Sequence, residues 1–257
     1  MLNYKKQEKM KVLVIGETCV DKFVYCDAKR LSPEAPVPVV NPIKSLQNPG
    51  MAGNTFANVK ALAPDATMAS ITQKQKITKT RYVEEKSNHM FLRVDEGEKF
   101  EGRFTWGPFA DSSIAEADIV IVSDYNKGFL SNADLKEIAR KSKLSIIDSK
   151  RKLTNDIIEG FTFVKLNESE RNNNPDLTTD NIITTLGKKG AEYQNILFES
   201  PNPLDTIDVS GAGDTFVASF IVKYYQLQDV RSAIKFANRK SSEVVSQRGV
   251  AIPTYEE

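Results

Sequence analysis

Asp208-Val209-Ser210-Gly211-Ala212-Gly213-Asp214-Thr215-Phe216 decides how this chain is read, because it sets bare backbone amides and one carboxylate at the start of an apolar helix. Upstream, Thr206 to Val209 alternates polar and apolar like the end of a strand, while Phe216, Val217, Phe220, Ile221 and Tyr224 recur at helical spacing. The turn between them is Gly211-Ala212-Gly213. Two glycines let the backbone approach an anion, and the unpaired amides and positive dipole end of the helix favour negative charge there. Asp214 sits beside the same spot, where a carboxylate repels a bound phosphate unless it has a task. Taking a proton from an attacking hydroxyl is such a task. A plainer reading competes: an acidic residue in a helix's first turn complements the dipole with no ligand at all.

Other phosphate motifs are missing, since neither a Walker A loop nor a Rossmann glycine fingerprint occurs. The 257 residues, 40% hydrophobic, suffice for one α/β core, and no linker divides them. Thirty-five Lys and Arg against 34 Asp and Glu leave a net charge of +1, with no footprint for nucleic acid or a membrane surface. A small-molecule partner is expected. Two cysteines, Cys19 and Cys26, make no disulfide scaffold, and no apolar run has signal-peptide or membrane-spanning character, so a cytoplasmic location is expected. Lys5, Lys6, Lys9 and Lys11 make a small basic cluster that reads as solvated, with a flexible arm expected over 1–10. A single histidine, His89, excludes multi-histidine metal sites and reads as a structural or exposed turn residue.

Lys11 to Ile15 predicts a buried parallel strand, with Asp21 in the loop beyond Gly16. Pro33, Pro36 and Pro38 keep Phe23 to Val40 extended. Gly53 to Ala63 predicts a helix, Met68 to Thr72 a strand, and Thr78 to Val94 a hairpin turning near His89. From Trp106 onward strands and helices alternate. Strands are expected at Ile119–Ser123, Leu144–Asp148, Phe161–Leu166, Asn181–Leu186 and Glu192–Phe198, and helices at Asn132–Lys143 and from Gly213 and Asp229. Ligands of such sheets bind beyond the carboxyl ends of the strands.

The Gly-Ala-Gly-Asp string resembles the second signature of the ribokinase or PfkB family of carbohydrate kinases. The resemblance implies that the amides of Gly211, Ala212 and Gly213 form an anion hole for the transferring phosphoryl group, with Asp214 as the catalytic base. Asn167-Glu168-Ser169-Glu170 is similar to the family's Asn-x-x-Glu element, which organises magnesium and nucleotide phosphates, with Glu170 the metal-side carboxylate. Its alternative is a capped helix start. Thr185, Gly187 and Gly190 fit the family's Thr-x-Gly-x-x-Gly turn at the phosphates, although a hairpin turn looks alike. Asn238 falls where the family lines its adenine pocket.

The first half resembles one branch, the heptose 7-phosphate kinases, through Gly16-Glu17, Asp21, the run Leu31 to Val40, Pro49-Gly50-Met51-Ala52-Gly53-Asn54, Ile77 to Arg81, Leu92 to Asp95 and Ser123 to Gly128. Gly50 belongs to this sugar side. Asp21, Asn54 and Asp124 offer the acceptors and donors that polyol hydroxyls need, and Lys79, Arg81, Arg93 and Lys127 are candidates for a sugar's existing phosphate. Each of these four also reads as ordinary cross-strand charge pairing. Met51 stands for a family glycine, Glu17 for an Asp, and Asp148-Ser149-Lys150-Arg151 for Asp-Pro-Lys-Gly. Between Thr72 and Thr78 the chain lacks a helix and strand of roughly 30 residues, and a shorter loss follows Arg171.

The expected fold is α/β and ribokinase-like, trimmed: one domain over 1–257 with a mostly parallel central sheet flanked by helices, and a small β lid from about 23–45 and 78–94 that also implies a homodimer. The implied chemistry is transfer of the γ-phosphate of ATP, with Mg2+ and room for a monovalent cation, to the anomeric hydroxyl of D-glycero-D-manno-heptose 7-phosphate, giving the 1,7-bisphosphate. No adenylyltransferase domain is expected in these residues. Another sugar or nucleoside kinase of this fold, or a catalytically silent sugar-phosphate binder, are the competing expectations.

Overall fold

Val12, Leu13, Val14 and Ile15 are all buried although successive side chains point to opposite faces, the pattern of a strand covered on both sides. A computed structural model describes residues 9–99, 102–201, 209–247 and 250–255. The expected strand end before Val209 and most of the 1–10 arm lie outside the described residues. The elements in chain order are β1 (Lys11–Gly16), β2 (Thr18–Leu31), β3 (Pro38–Met51), α1 (Ala52–Leu62), β4 (Thr67–Ile71), β5 (Thr78–Glu84), β6 (Met90–Glu96) and α2 (Pro108–Glu116). They continue with β7 (Ile119–Asp124), α3 (Asn132–Lys141), β8 (Ser145–Ser149), α4 (Asn155–Ile158), β9 (Phe163–Asn167) and α5 (Glu168–Asn173). The last are β10 (Ile182–Thr185), β11 (Ala191–Tyr193), β12 (Ile196–Phe198), α6 (Ala212–Leu227) and α7 (Val230–Val245).

The main sheet has the order β12-β11-β10-β9-β8-β7-β1-β4, parallel from β4 to β10 and closed by the antiparallel β11 and β12. Alternation splits its core: Val12, Val14 and Ile121 pack with Val59, Phe216 and Phe220 of α1 and α6, while Leu13, Ile15 and Val122 pack with Ile114, Leu135 and Ile138 of α2 and α3. The carboxyl ends of β7 to β10 lie side by side, with Asp124 opposite Ser149, Asp148 opposite Lys165, and Asn167 opposite Thr185. That edge gathers the polar residues.

A second sheet, β3-β2-β5-β6, forms the expected lid, and β5 and β6 pair around the turn that holds His89. Asp21 is not in a loop but inside β2, opposite Asn48 and Lys79, because β2 begins two residues after Gly16. The single strand expected over Glu192 to Phe198 is instead a hairpin. Gln194 and Asn195 both take positive φ, 50° and 60°, which turns β11 back as β12. Helix α2 was not expected, although Pro108 at its first position is a recognisable start.

The short link from β4 to β5 is tied down by one side chain. Gln73 accepts from the Thr18 amide at 2.9 Å and donates to the Thr18 carbonyl at 2.7 Å and the Gln75 carbonyl at 3.1 Å, imitating a strand neighbour where the chain is short. Gln73→Ala leaves both Thr18 groups without these partners and is expected to cost about 1–3 kcal/mol, read as a lower urea midpoint; an unchanged midpoint would show that water replaces the amide.

Candidate active site

Helix α6 starts with a left-handed residue, Gly211 at φ 84°, and has no side-chain cap. A Cβ on Gly211 would sit 2.6 Å from Asn54 Nδ2, and one on Gly213 would sit 3.1 Å from Lys165 Nζ. Ala212 N–H reaches Val209 O at 3.3 Å, and among the described residues no acceptor bonds to the amides of Gly211 or Gly213. The residues just upstream of this turn, 202–208, lie outside the described residues. Only glycine fits between α1 above and the lysine below.

Asp214, 5% exposed, accepts from Asn54 Nδ2 at 2.9 Å through Oδ2, and from Thr55 Oγ1 at 3.3 Å and the Tyr125 hydroxyl at 3.2 Å through Oδ1. Burial pushes its carboxyl up to about 6; Asn54 opposes this, Asp148 adds to it, and Lys165 and Lys150 oppose it. The Tyr125 hydroxyl is held well above its ordinary value by burial and then by Asp214. A carboxyl titrating near 6 suits a general base at neutral pH.

The sugar-side expectations divide. Asn54 is 1% exposed, with Nδ2 on Asp214 and Oδ1 on Asn58 Nδ2. Asp124 is fully buried and accepts from Arg151 Nε at 2.6 Å, Arg151 Nη2 at 2.8 Å and Ser149 Oγ at 2.5 Å. Ser149 and Arg151 are the residues that depart from the family string, and both serve this one carboxylate. Asp21 does face the site, with Arg81 Nη1 at 2.5 Å and Gly50 pressed against it, where any Cβ would collide with its carboxylate. Lys79, Arg81 and Arg93 share the same face of the lid sheet as Asp21 and Asp95. Arg93 is bidentate on Asp95 at 2.7 Å. Lys127 Nζ bonds Glu98 at 2.7 Å, and Lys79 Nζ lies 3.9 Å from the same carboxylate.

On the nucleotide side, Thr185, Gly187, Gly190, Ala212, Gly213 and Asn238 line one cavity of about 340 Å3, a size typical of small-molecule sites. Asn238 Nδ2 donates to the Phe198 carbonyl at 2.7 Å. Asn167 and Glu170 form a capping box, each side chain taking the other's amide at 2.8 Å, and Glu170 Oε1 pairs with Lys150. Both readings of that string thus share one geometry. Glu168 and Ser169 are exposed at the same helix start. Among the described residues no group of three or more His, Cys, Asp or Glu side chains could hold a metal.

Sequence reading missed several residues. Glu17 is fully buried and shapes the loop after β7 by accepting the amides of Tyr125 and Lys127 at 2.9 Å and Phe129 at 3.3 Å. Thr55, Asn58 and Tyr125 surround Asp214 and Thr215. Lys165, 2% exposed, bonds Asp148 at 3.0 Å beneath Gly213. A lysine inside the apolar run Phe163 to Leu166 was the available signal, since such a charge needs a buried partner.

A desolvated carboxylate beside uncapped helix amides, with a cavity on one side and a cationic lid on the other, defines an α/β phosphotransferase acting on an alcohol. Sequence comparison agrees. The pfkB family carbohydrate kinase model matches residues 65–257, and the chain belongs to that family; it is an ATP-dependent carbohydrate kinase. It is 28% identical over 302 positions to the bifunctional protein HldE of Campylobacter jejuni (strain RM1221), spanning 100% of this chain and 66% of that protein. It is 29% identical to HldE of Bradyrhizobium diazoefficiens, over 94% of this chain and 60% of that one. The chain thus spans less than two thirds of the length of these relatives, and a match of 302 positions to 257 residues means that they carry segments absent here. Among solved structures, ribokinase from Thermotoga maritima superposes with a TM-score of 0.73 at 16% identity, covering 95% of this chain and 96% of that one. Arabidopsis thaliana ribokinase complexed with ribose and ATP gives 0.69 at 15%, covering 96% of each chain. The ribokinase-like fold is as expected.

The raised carboxyl predicts a stability signature. Because the folded value, about 6, exceeds the ordinary 3.8, folding favours the protonated form, so stability falls as pH rises between these values and the loss is complete above them. Asp214→Asn, permanently neutral, is expected to raise Tm relative to the parent at pH 8, with the gap closing toward pH 4. A gap independent of pH would mean that the carboxyl titrates normally.

Proposed function

We propose that this kinase phosphorylates the anomeric hydroxyl of a sugar that already carries a phosphate, with D-glycero-D-manno-heptose 7-phosphate as acceptor and the 1,7-bisphosphate as product. The lid's charge balance carries this reading. Among the described residues four cations, Lys79, Arg81, Arg93 and Lys127, meet three carboxylates; Arg81 is matched by Asp21 and Arg93 by Asp95, so Lys79 and Lys127 share Glu98. Glu98 Oε1 is buried without a hydrogen bond. A phosphate dianion between the two lysines supplies the missing negative charge. Similarity to the HldE proteins along the whole chain points the same way.

ATP fits with its base in the cavity bounded by Asn238 and its phosphates toward Thr185, Gly187, Gly190 and the 211–213 turn. Mg2+ would be held by Glu170 together with Asp148, whose Oδ1 is buried without a hydrogen bond, and supplies neutralising charge at the phosphates. Asp214 keeps a lone pair on Oδ2 beyond its bond from Asn54 and takes the acceptor's proton there, while the free amides receive charge on the moving group. Lid residues such as Leu46, Leu92 and Val94, each more than a third exposed, support a homodimer through this sheet. Free Cys19 and Cys26 support a reducing, cytoplasmic setting.

Asp214→Asn should lower turnover by about 10²–10⁴ without unfolding the chain, and an acid limb near pH 6 should be present in the parent profile. For the acceptor, ADP release is compared for heptose 7-phosphate, fructose 6-phosphate, ribose and adenosine. Lys127→Met should raise KM for the preferred sugar phosphate by about 10–100-fold. Faster turnover of ribose or adenosine than of either phosphorylated sugar refutes the acceptor class.

A further inference from the structure

We propose that Lys150 is a catalytic residue whose ammonium engages the transferring phosphoryl group, and that its pairing with Glu170 and Asp148 is the resting arrangement. The proposal rests on reading the 211–213 turn as the phosphoryl site, not on which sugar is used. Two ammonium groups lie at this edge of the sheet: Lys165, within β9, sits beneath Gly213, and Lys150 directly follows β8. Lys165 is enclosed, 2% exposed, and fixed on Asp148 Oδ2 at 3.0 Å, so it compensates Asp148 and has no freedom to follow a ligand. Lys150 differs. Its side chain is 34% exposed, its Nζ pairs with Glu170 and lies 3.6 Å from Asp148 Oδ1, an oxygen that is buried and has no hydrogen bond.

Its placement relative to the base is set by Tyr125. Lys150 Nζ lies 5.7 Å from the Tyr125 ring centroid, and the hydroxyl of that ring donates to Asp214 at 3.2 Å. Electrostatics then require a mobile cation. Asp148, Glu170 and Asp214 place three carboxylates around the spot, the helix amides carry only partial charge, and Lys165 is committed. A phosphoryl group arriving there, with three oxygens and more charge than one carboxylate, competes for the Lys150 ammonium over a short movement of a flexible four-carbon stem. In the step itself the acceptor oxygen bonds to the γ-phosphorus as the bond from phosphorus to the bridging oxygen breaks. That electron pair leaves with ADP, the hydroxyl proton passes to Asp214, and Lys150 keeps its protons and donates hydrogen bonds throughout.

The test uses the full chain with Lys150→Met and Lys150→Gln, each checked for an unchanged Tm. Turnover with the preferred sugar is expected to fall by about 10²–10³, with KM for that sugar within about threefold of the parent. A second readout needs no acceptor: calorimetric binding of ADP with Mg2+, with and without aluminium fluoride as a stand-in for the transferring group. Both variants should bind ADP nearly as the parent does and lose about 100-fold for the fluoride complex. Equal losses for ADP and its fluoride complex would overturn the proposal, because a lysine that merely holds Glu170 in place affects both alike; so would turnover within about threefold of the parent. If no sugar phosphate is phosphorylated, the acceptor reading falls while the fluoride comparison still decides Lys150.

Discussion

In the proposed reaction a negative ligand and a negative side chain share the first turn of α6, and the structure around Asp214 suits that conflict. Burial raises the proton affinity of Asp214 against the opposing hydrogen bond from Asn54, while Asn54, Thr55 and Tyr125 fix the carboxylate and aim its remaining lone pair. The proposed phosphoryl site would draw compensation from the opposite direction, from the start of α6 and from Lys150 after β8 and Lys165 within β9. Desolvation makes the base stronger and the cradle more attractive at once, because both effects scale with exclusion of water. Helix α1 and helix α6 must therefore pack with little slack.

The two sheets divide the labour. The parallel sheet brings Asp148, Lys165, Asn167 and Thr185 to one edge because parallel strands end on the same side. The lid hangs from β2, which enters it two residues after β1, and so Asp21 and the cations of β5 are carried over that edge. Gln73 replaces with one amide what a longer connection would supply with backbone. Shortening between β4 and β5 leaves the base, the cradle and the lid underside intact.

Substituted positions make sense only in pairs. Ser149 and Arg151 both bond Asp124, so their departure from the family string is one change in a buried network and not two. Glu17, longer than the Asp it stands for, reaches three amides of the 125–129 loop and thereby places Tyr125 over the base. Met51 takes φ 59° at the start of α1, a conformation that costs a side-chain-bearing residue, and its side chain, 3% exposed, packs with Cys19 and Ile77 where glycine would leave a void.

Local pattern was enough for the strand-helix alternation, the lid hairpin, the glycine turn and its aspartate, because each depends on neighbours within a few residues. It was enough, too, for Asn167 and Glu170, whose spacing by three residues is itself the capping box. Pattern could not say where a polar side chain spends its hydrogen bonds. Asn54 and Asp124 have the right chemistry for a sugar, and only the folded chain shows that they bond Asp214 and Arg151. Lys150, Lys165 and Glu98 acquired meaning only when strands distant in the chain were laid side by side, since the cost of a buried charge is settled by partners that sequence separation does not reveal.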